Sequence, residues 1–369
     1  MIQYSNLGSD KQLNEIVIAG SHDAGITSGG GNAQTQNLDI RAQAAAGIRM
    51  FDLRVAAFST GAKTGGVKEV GLHAFHADGS LQTKETKTRY VTDQDRVQDV
   101  TRVKLKYGQG AIGEGLGKML ADARGFVETY SSEFLILKFD KCSDWRLIAE
   151  TCVDGLGDTI YTDGGNLNKK TLRDLAGKVI VVVTDMSEIP VGYRGAGGIL
   201  NIKNLYGKNG PSGGYQEDYQ GLQYFGKGGT SVNPKKMKWT QSGKIKENVE
   251  KQTVILDRKG DGNPDVMGMM YWTSTGLLEN IKDRNKEMWK PKKVAALNRM
   301  WKSGLEDSIN SRLTQAIDPT SYSSGGLLKA FMPNIVMIDF ADPSKCQTIY
   351  ELNFIAATSI IDATRDSLS

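Results

Sequence analysis

EIVIAGSHDAG, residues 15–25, is an apolar, β-branched run that gives way at once to His22, Asp23 and a glycine. The run is too short for an ordinary helix and has no polar alternation. That pattern reads as a strand buried on both faces, the kind found in parallel sheets. The same design recurs along the chain. IRMFDLRV (48–55) carries Asp52 and Arg54, VGLHAFH (70–76) ends in His76, and EFLILKFD (133–140) carries Lys138 and Asp140. KVIVVVTD (178–185) ends in Asp185, DVMGMMYW (265–272) follows, and NIVMIDF (334–340) carries Asp339. Helix-like stretches lie between them, among them NLDIRAQAAAG (37–47) and GLGKMLADARGFVETYS (115–131).

Strands alternating with helices along a whole chain predict α/β architecture. Seven strands are countable, and GGILNI (197–202) or TVILD (253–257) is the candidate eighth. The reading favoured is an irregular TIM-like (β/α)8 barrel forming a single unit over residues 1–369, ahead of a doubly wound open sheet. Residues 186–264, rich in Gly, Tyr and Lys with few periodic apolar runs, read as a long insertion or lid.

Composition narrows the function classes. A hydrophobic share of 39% and a charged share of 24% describe an ordinary globular chain. A net charge of +4 over 369 residues argues against a dedicated nucleic-acid binder and stays compatible with work beside an anionic surface. Cys142, Cys152 and Cys346 are odd in number and lack metal-ligand spacing, so neither a disulfide framework nor a zinc site is expected. No basic segment followed by an apolar one opens the sequence, so no secretory signal is expected, and no apolar stretch approaches the roughly 20 residues that span a bilayer. The compartment and the oligomeric state stay open.

In a (β/α)8 barrel, chemistry gathers at the C-terminal ends of the strands. That rule collects His22, Asp23, Arg54, His76, Lys138, Asp140, Asp185 and Asp339 at one mouth. Histidine titrates near neutrality and can both take and give a proton. Asp339, on the last strand, becomes the neighbour of His22 on the first when the barrel closes, and a carboxylate there fixes the imidazole tautomer. Arg54 offers a rigid fork of donors for phosphate oxygens, which removes the need for a metal or other cofactor. His76, with Asp23, is the candidate proton donor. Asp52 shares strand parity with Arg54, leaving a buried ion pair between them open, and Lys138 reads either as a functional charge at the mouth or as a snorkelling side chain. His73 and His76, three apart, face opposite sides of one strand, and His76 lies nearer its end.

IAGSHDAGITSG, then QAAAGIRMFDLRV and a strand ending in FHADG, resemble the catalytic X region of phosphatidylinositol-specific phospholipase C. The likeness is to the bacterial, metal-independent branch, because Asp23 follows His22 and Arg54 stands where calcium-dependent enzymes carry a metal ligand. The resemblance implies an irregular TIM-like barrel, His22 as general base, His76 as general acid, Asp23 as its helper and Arg54 as the phosphate-binding charge. It further implies that Asp339 orients the base and that Lys138 and Asp52 serve substrate binding. The expected substrate is a phospholipid at a membrane surface, cleaved to diacylglycerol and a cyclic inositol phosphate. Strand five departs from the pattern, ending in Thr184-Asp185 where the bacterial enzymes carry an arginine.

Two other readings compete. A metal-dependent glycerophosphodiesterase or sphingomyelinase-D-like barrel needs paired acidic ligands on the second strand, where FDLR offers Asp52 and then Arg54. A non-catalytic lipid-binding barrel would use the tyrosines and lysines of 215–247. DRKGDGNPDV (257–266) looks like a calcium loop but has Gly268 at the twelfth position, so it reads as a turn.

Overall fold

The structure, a computed structural model, describes residues 1–76, 82–91, 97–105, 110–207, 210–211, 214–229, 247–252, 265–274, 280–295, 297–298 and 333–354. In chain order, β1 (Ile18–Ser21) and β2 (Ile48–Leu53) begin a barrel. β3 (Val55–Thr64), β4 (Val67–His76), β5 (Gln82–Val91), β6 (Val97–Leu105) and β7 (Ala111–Gly115) build a separate sheet. β8 (Leu135–Phe139), β9 (Val179–Val183) and β10 (Ile199–Asn204) resume the barrel, and β11 (Tyr206–Gly207) and β12 (Gly210–Pro211) form a small hairpin. β13 (Gly221–Lys227), β14 (Met267–Trp272) and β15 (Ile335–Ile338) close it. Around the ring the order is β1-β15-β14-β13-β10-β9-β8-β2, and every pairing is parallel.

The near-continuous apolar runs do what their composition dictates. Alternate residues Ile18, Met50, Ile136, Ile180, Val182, Leu200, Leu222, Met269 and Met337 fill the barrel interior. Their sequence neighbours Ala19, Phe51, Leu137, Val181, Met270 and Val336 face outward to the helical layer. Gly20 belongs to the inner series, and a Cβ there would collide with Met337 Sδ, so glycine makes room for the methionine. The helix α1 (Ile40–Ala46) starts at Asp39, whose carboxylate accepts from Ala42 N. In α2 (Leu116–Thr129), Leu116, Met119, Leu120, Ala123, Phe126 and Val127 form the buried stripe at helical spacing. The helix α3 (Trp145–Leu156) is capped by Asp144, which also accepts from Thr101 N of β6 and so ties the side sheet to the barrel. Beneath the barrel, Arg49 is paired to Glu133 at 2.7 Å, both fully buried. Glu133 also accepts from Tyr4 N and Ser5 N, which anchors the N-terminal segment. No helix among the described residues is long and apolar enough to cross a membrane.

Two expectations need correction. VGLHAFH is not a barrel strand. It is the end of β4, antiparallel to β3 and to β7, in the five-stranded order β3-β6-β5-β4-β7. Residues 186–264 are not one insertion, because β10 and β13 lie within them and supply two barrel staves. GGILNI is thus a true strand, GLQYFGK is the stave that the composition hid, and TVILD falls outside the described residues. The polar stretch that follows β4 holds β5 and β6.

Candidate active site

Strand parity and register assemble the site. Ser21 pairs with Ile338, so the next residues, His22 and Asp339, stand side by side where the first and last strands meet. His22 N donates to Ile338 O at 3.0 Å, continuing the ladder past the strand end. Asp52 pairs with Lys138 on β8, and both belong to the inward series. Tyr271 on β14 has inward parity too. His22, Asp52, Lys138, Tyr271 and Asp339 therefore all point into the barrel near its C-terminal end.

His22 Nδ1 lies 2.9 Å from Asp339 Oδ1. A carboxylate can only accept, so Nδ1 carries the proton and Nε2 is turned to the mouth, 3.6 Å from Asp23 Oδ2. The same oxygen lies 2.6 Å from His76 Nδ1, so one carboxylate oxygen gathers both imidazoles. Arg54 Nε approaches the other oxygen, Asp23 Oδ1, at 3.0 Å as an ion pair. Asp23 adopts φ +43°, the left-handed region that non-glycine residues enter at a cost of order ~1 kcal/mol. Thr35 Oγ1 and Ile26 N both donate to its carbonyl, which holds that turn and aims the carboxylate. Gln36, fully buried, donates to His22 O and accepts from Ala341 N, stitching the first and last strand ends together.

Arg54 comes from the residue after β2, and His76 is the last residue of β4. The side sheet thus delivers the second imidazole to the mouth from outside the barrel: Phe75 N donates to Arg54 O at 2.9 Å. His73 faces the other way, its Nδ1 3.4 Å from Gly113 O, as the alternation requires.

Electrostatics follow from this crowding. Burial opposes the charged form of His22, but the Asp23 and Asp339 carboxylates more than offset it and raise its pKa to about 9. Burial likewise opposes ionisation of Asp23, yet Arg54, His22 and His76 hold it well below the usual carboxylate range. The Asp23 carboxylate raises the pKa of Arg54 further. His22 is consequently imidazolium at neutral pH in the resting site, and Asp23 is anionic.

Below this layer lies a second cluster. Lys138 Nζ donates to Asp52 Oδ1 at 2.7 Å, and Tyr271 OH donates to Asp52 Oδ2 at 3.0 Å. Lys138 is 1% exposed and its ammonium is paired with Asp52, so the snorkelling alternative, which needs the charge at the surface, does not hold. The open Asp52–Arg54 ion pair is likewise replaced, Asp52 pairing with Lys138 and Arg54 with Asp23. Asp140, partly exposed, sits 3.6 Å from Lys138 Nζ and accepts from Thr184 Oγ1. Asp185 turns to its own loop, accepting from Ser187 N. Tyr271 escaped the sequence reading. Its ring stands edge-on to His22 with centroids 5.7 Å apart. A tyrosine at an inward position near a strand's end was the available signal. Among the described residues no group of three or more His, Cys, Asp or Glu side chains is arranged to hold a metal ion.

Comparison with protein-family models finds no match, and neither does comparison with curated protein sequences. Solved structures do match. Two structures of phosphatidylinositol-specific phospholipase C from Staphylococcus aureus superpose with a TM-score of 0.51, at 17% and 18% identity, covering 95% of this chain and 96% of theirs. The phosphatidylinositol-specific phospholipase C of Listeria monocytogenes matches at a TM-score of 0.49 and 14% identity, over 94% of this chain and 96% of that one. At such identity the likeness establishes a shared fold, the irregular TIM-like barrel.

Proposed function

We propose that this protein is a phosphodiesterase of the phospholipase C type that cleaves a phosphatidylinositol-like lipid without a metal, by proton transfer between two histidines. One observation carries the reading: His22 and His76 converge on a single oxygen of Asp23, with the Arg54 guanidinium on the other oxygen. The fold shared with the staphylococcal phosphatidylinositol-specific phospholipase C supports it.

The neutral form of His22 takes the proton from a head-group hydroxyl beside the phosphodiester, and the hydroxyl oxygen forms a bond to phosphorus. The bond from phosphorus to the diacylglycerol oxygen breaks. That oxygen receives a proton from Nε2 of His76, whose Nδ1–H is held by Asp23. Products are diacylglycerol and a five-membered cyclic phosphate. Arg54 balances the charge that builds on the non-bridging oxygens. Asp339 holds the His22 tautomer that leaves Nε2 free for the incoming proton. Lys138, Asp52 and Tyr271 form the floor on which this layer rests, and act through it rather than on the substrate.

The test is diacylglycerol release from mixed phosphatidylinositol and phosphatidylcholine vesicles in excess EDTA. Full activity under chelation with loss of at least ~10²-fold in His22→Ala supports the reading. Activity that collapses on chelation, or a near-normal rate in His22→Ala, overturns it.

A further inference from the structure

The rim of the mouth carries a second group of charges, three strands away from His22. β13 ends in Lys227, at the same C-terminal face as His22, Arg54 and Asp339. The chain at 247–252 is helical and packs over the ends of β13 and β14. Gln252 Nε2 donates to Lys227 O at 3.2 Å and its Oε1 accepts from Tyr271 N at 3.1 Å, while Asn248 Nδ2 donates to Tyr271 O. This stitching brings Lys251 beside Lys227. Lys251 Nζ donates to Gly229 O at 3.0 Å, and Lys227 Nζ lies 4.5 Å from the centre of the Tyr206 ring.

Both lysines are partly buried, and among the described residues neither has a carboxylate within ion-pair distance. The nearest acidic influence on Lys251 is Glu247, one turn back on the same segment. Burial, and then the charge of Lys227, make Lys251 harder to protonate than an ordinary lysine. Two like charges, partly desolvated and facing a ring and a carbonyl, are an arrangement that an anion would relieve. Lys227 has outward parity, opposite to Tyr224, so the pair occupies the outer ledge of the rim and not the catalytic pocket.

We propose that Lys227 and Lys251 form a rim site for the phosphate group of a second, non-reacting anionic lipid lying beside the substrate. The inference rests on the reading that this mouth meets a lipid surface. It assigns the ledge to anchoring and leaves turnover to the histidines.

The experiment uses the full chain and vesicles without any phosphatidylinositol, so binding is read independently of turnover. Sedimentation with phosphatidylcholine vesicles, with and without phosphatidic acid, gives the lipid-dependent part of the affinity. The Lys227→Gln/Lys251→Gln double variant is expected to lose about 30-fold of the gain on phosphatidic acid, and Lys227→Arg/Lys251→Arg to keep it. Thermal melts confirm that both variants fold. Equal binding by wild type and the glutamine variant overturns the proposal, as does an equal loss in the arginine variant, which would mean packing and not charge. Saturable binding of inorganic phosphate with no gain on phosphatidic acid vesicles would make this a free-anion site and overturn the lipid assignment. If phosphatidylinositol turnover fails while the double variant still loses its phosphatidic acid binding, the rim site stands and the catalytic reading falls.

Discussion

Asp339→Asn isolates the contribution of the barrel seam to His22. In the wild type His22 is raised to about 9 by two carboxylates, Asp23 at 3.6 Å and Asp339 at 2.9 Å, against the opposing effect of burial. Removing one paired carboxylate typically moves a pKa by about 1–3 units, so His22 in the variant should titrate between about 6 and 8. Each unit is about 1.4 kcal/mol of imidazolium stabilisation, giving a loss of about 1.4–4 kcal/mol. Two readouts follow. The imidazole 15N resonances of His22, followed from pH 5 to 10, report its titration directly. The profile of kcat/KM against pH reports the same group through function. Only neutral His22 accepts the proton, so the wild-type rate should climb with pH towards about 9. In Asp339→Asn that acidic limb should move down by about 1–3 pH units, while the plateau drops by ~10²–10⁴-fold because the tautomer is no longer held. A His22 that still titrates near 9 in the variant, or a plateau that does not fall, would refute the reasoning.

Stability should also depend on pH, with opposite signs for the two halves of the cluster. The folded pKa of His22 is raised, so its contribution is fully present below its unfolded value of 6.5 and is lost as pH rises through about 9. That amounts to about 3 kcal/mol, and chemical denaturation in His22→Gln should lack this alkaline loss. Asp23 is depressed, so its contribution is present above 3.8 and disappears as pH falls through its folded value, which Asp23→Asn should abolish. Arg49→Met should destabilise the fold by about 3–5 kcal/mol in urea titrations, because Glu133 is left charged and buried, and Arg49→Met/Glu133→Leu should recover most of it. An Arg49→Met protein as stable as wild type would remove the buried pair from the account. His73→Gln should keep activity within a few-fold while His76→Gln loses at least ~10²-fold, and the reverse ranking would exchange their roles.

How far the sequence disclosed this site depends on what each signal physically encodes. The pairing of His22 with Asp339 was legible because closure of a parallel barrel forces its first and last strands together, and both residues directly follow apolar runs. The shared parity of Asp52 and Arg54 was legible from their spacing, whereas the inward positions of Asp52 and Lys138 come from the barrel register. What alternation cannot say is which sheet a strand joins. VGLHAFH has the burial pattern of a stave, yet it pairs antiparallel to β3, because a buried hairpin strand looks the same as a buried barrel strand in one dimension. GLQYFGK was hidden for a related reason: it starts and nearly ends in glycine and carries Gln223, whose side-chain amide is satisfied by the Gln216 backbone while Asn168 bonds its backbone. Partners so distant leave no local trace. The burial of Lys138 and the role of Tyr271 were invisible for the same reason, since both depend on Asp52 being shared between β8 and β14.

The most direct test of the two-histidine account is 31P NMR of phosphatidylinositol turnover by wild type, His22→Ala and His76→Ala, in buffer containing chelator. The account predicts a cyclic phosphate as the first product of the wild type, formed at undiminished rate under chelation. It predicts that either alanine variant loses at least ~10²-fold while the fold is retained. A linear phosphate appearing first, or a variant lacking either imidazole that turns over at the wild-type rate, would contradict it.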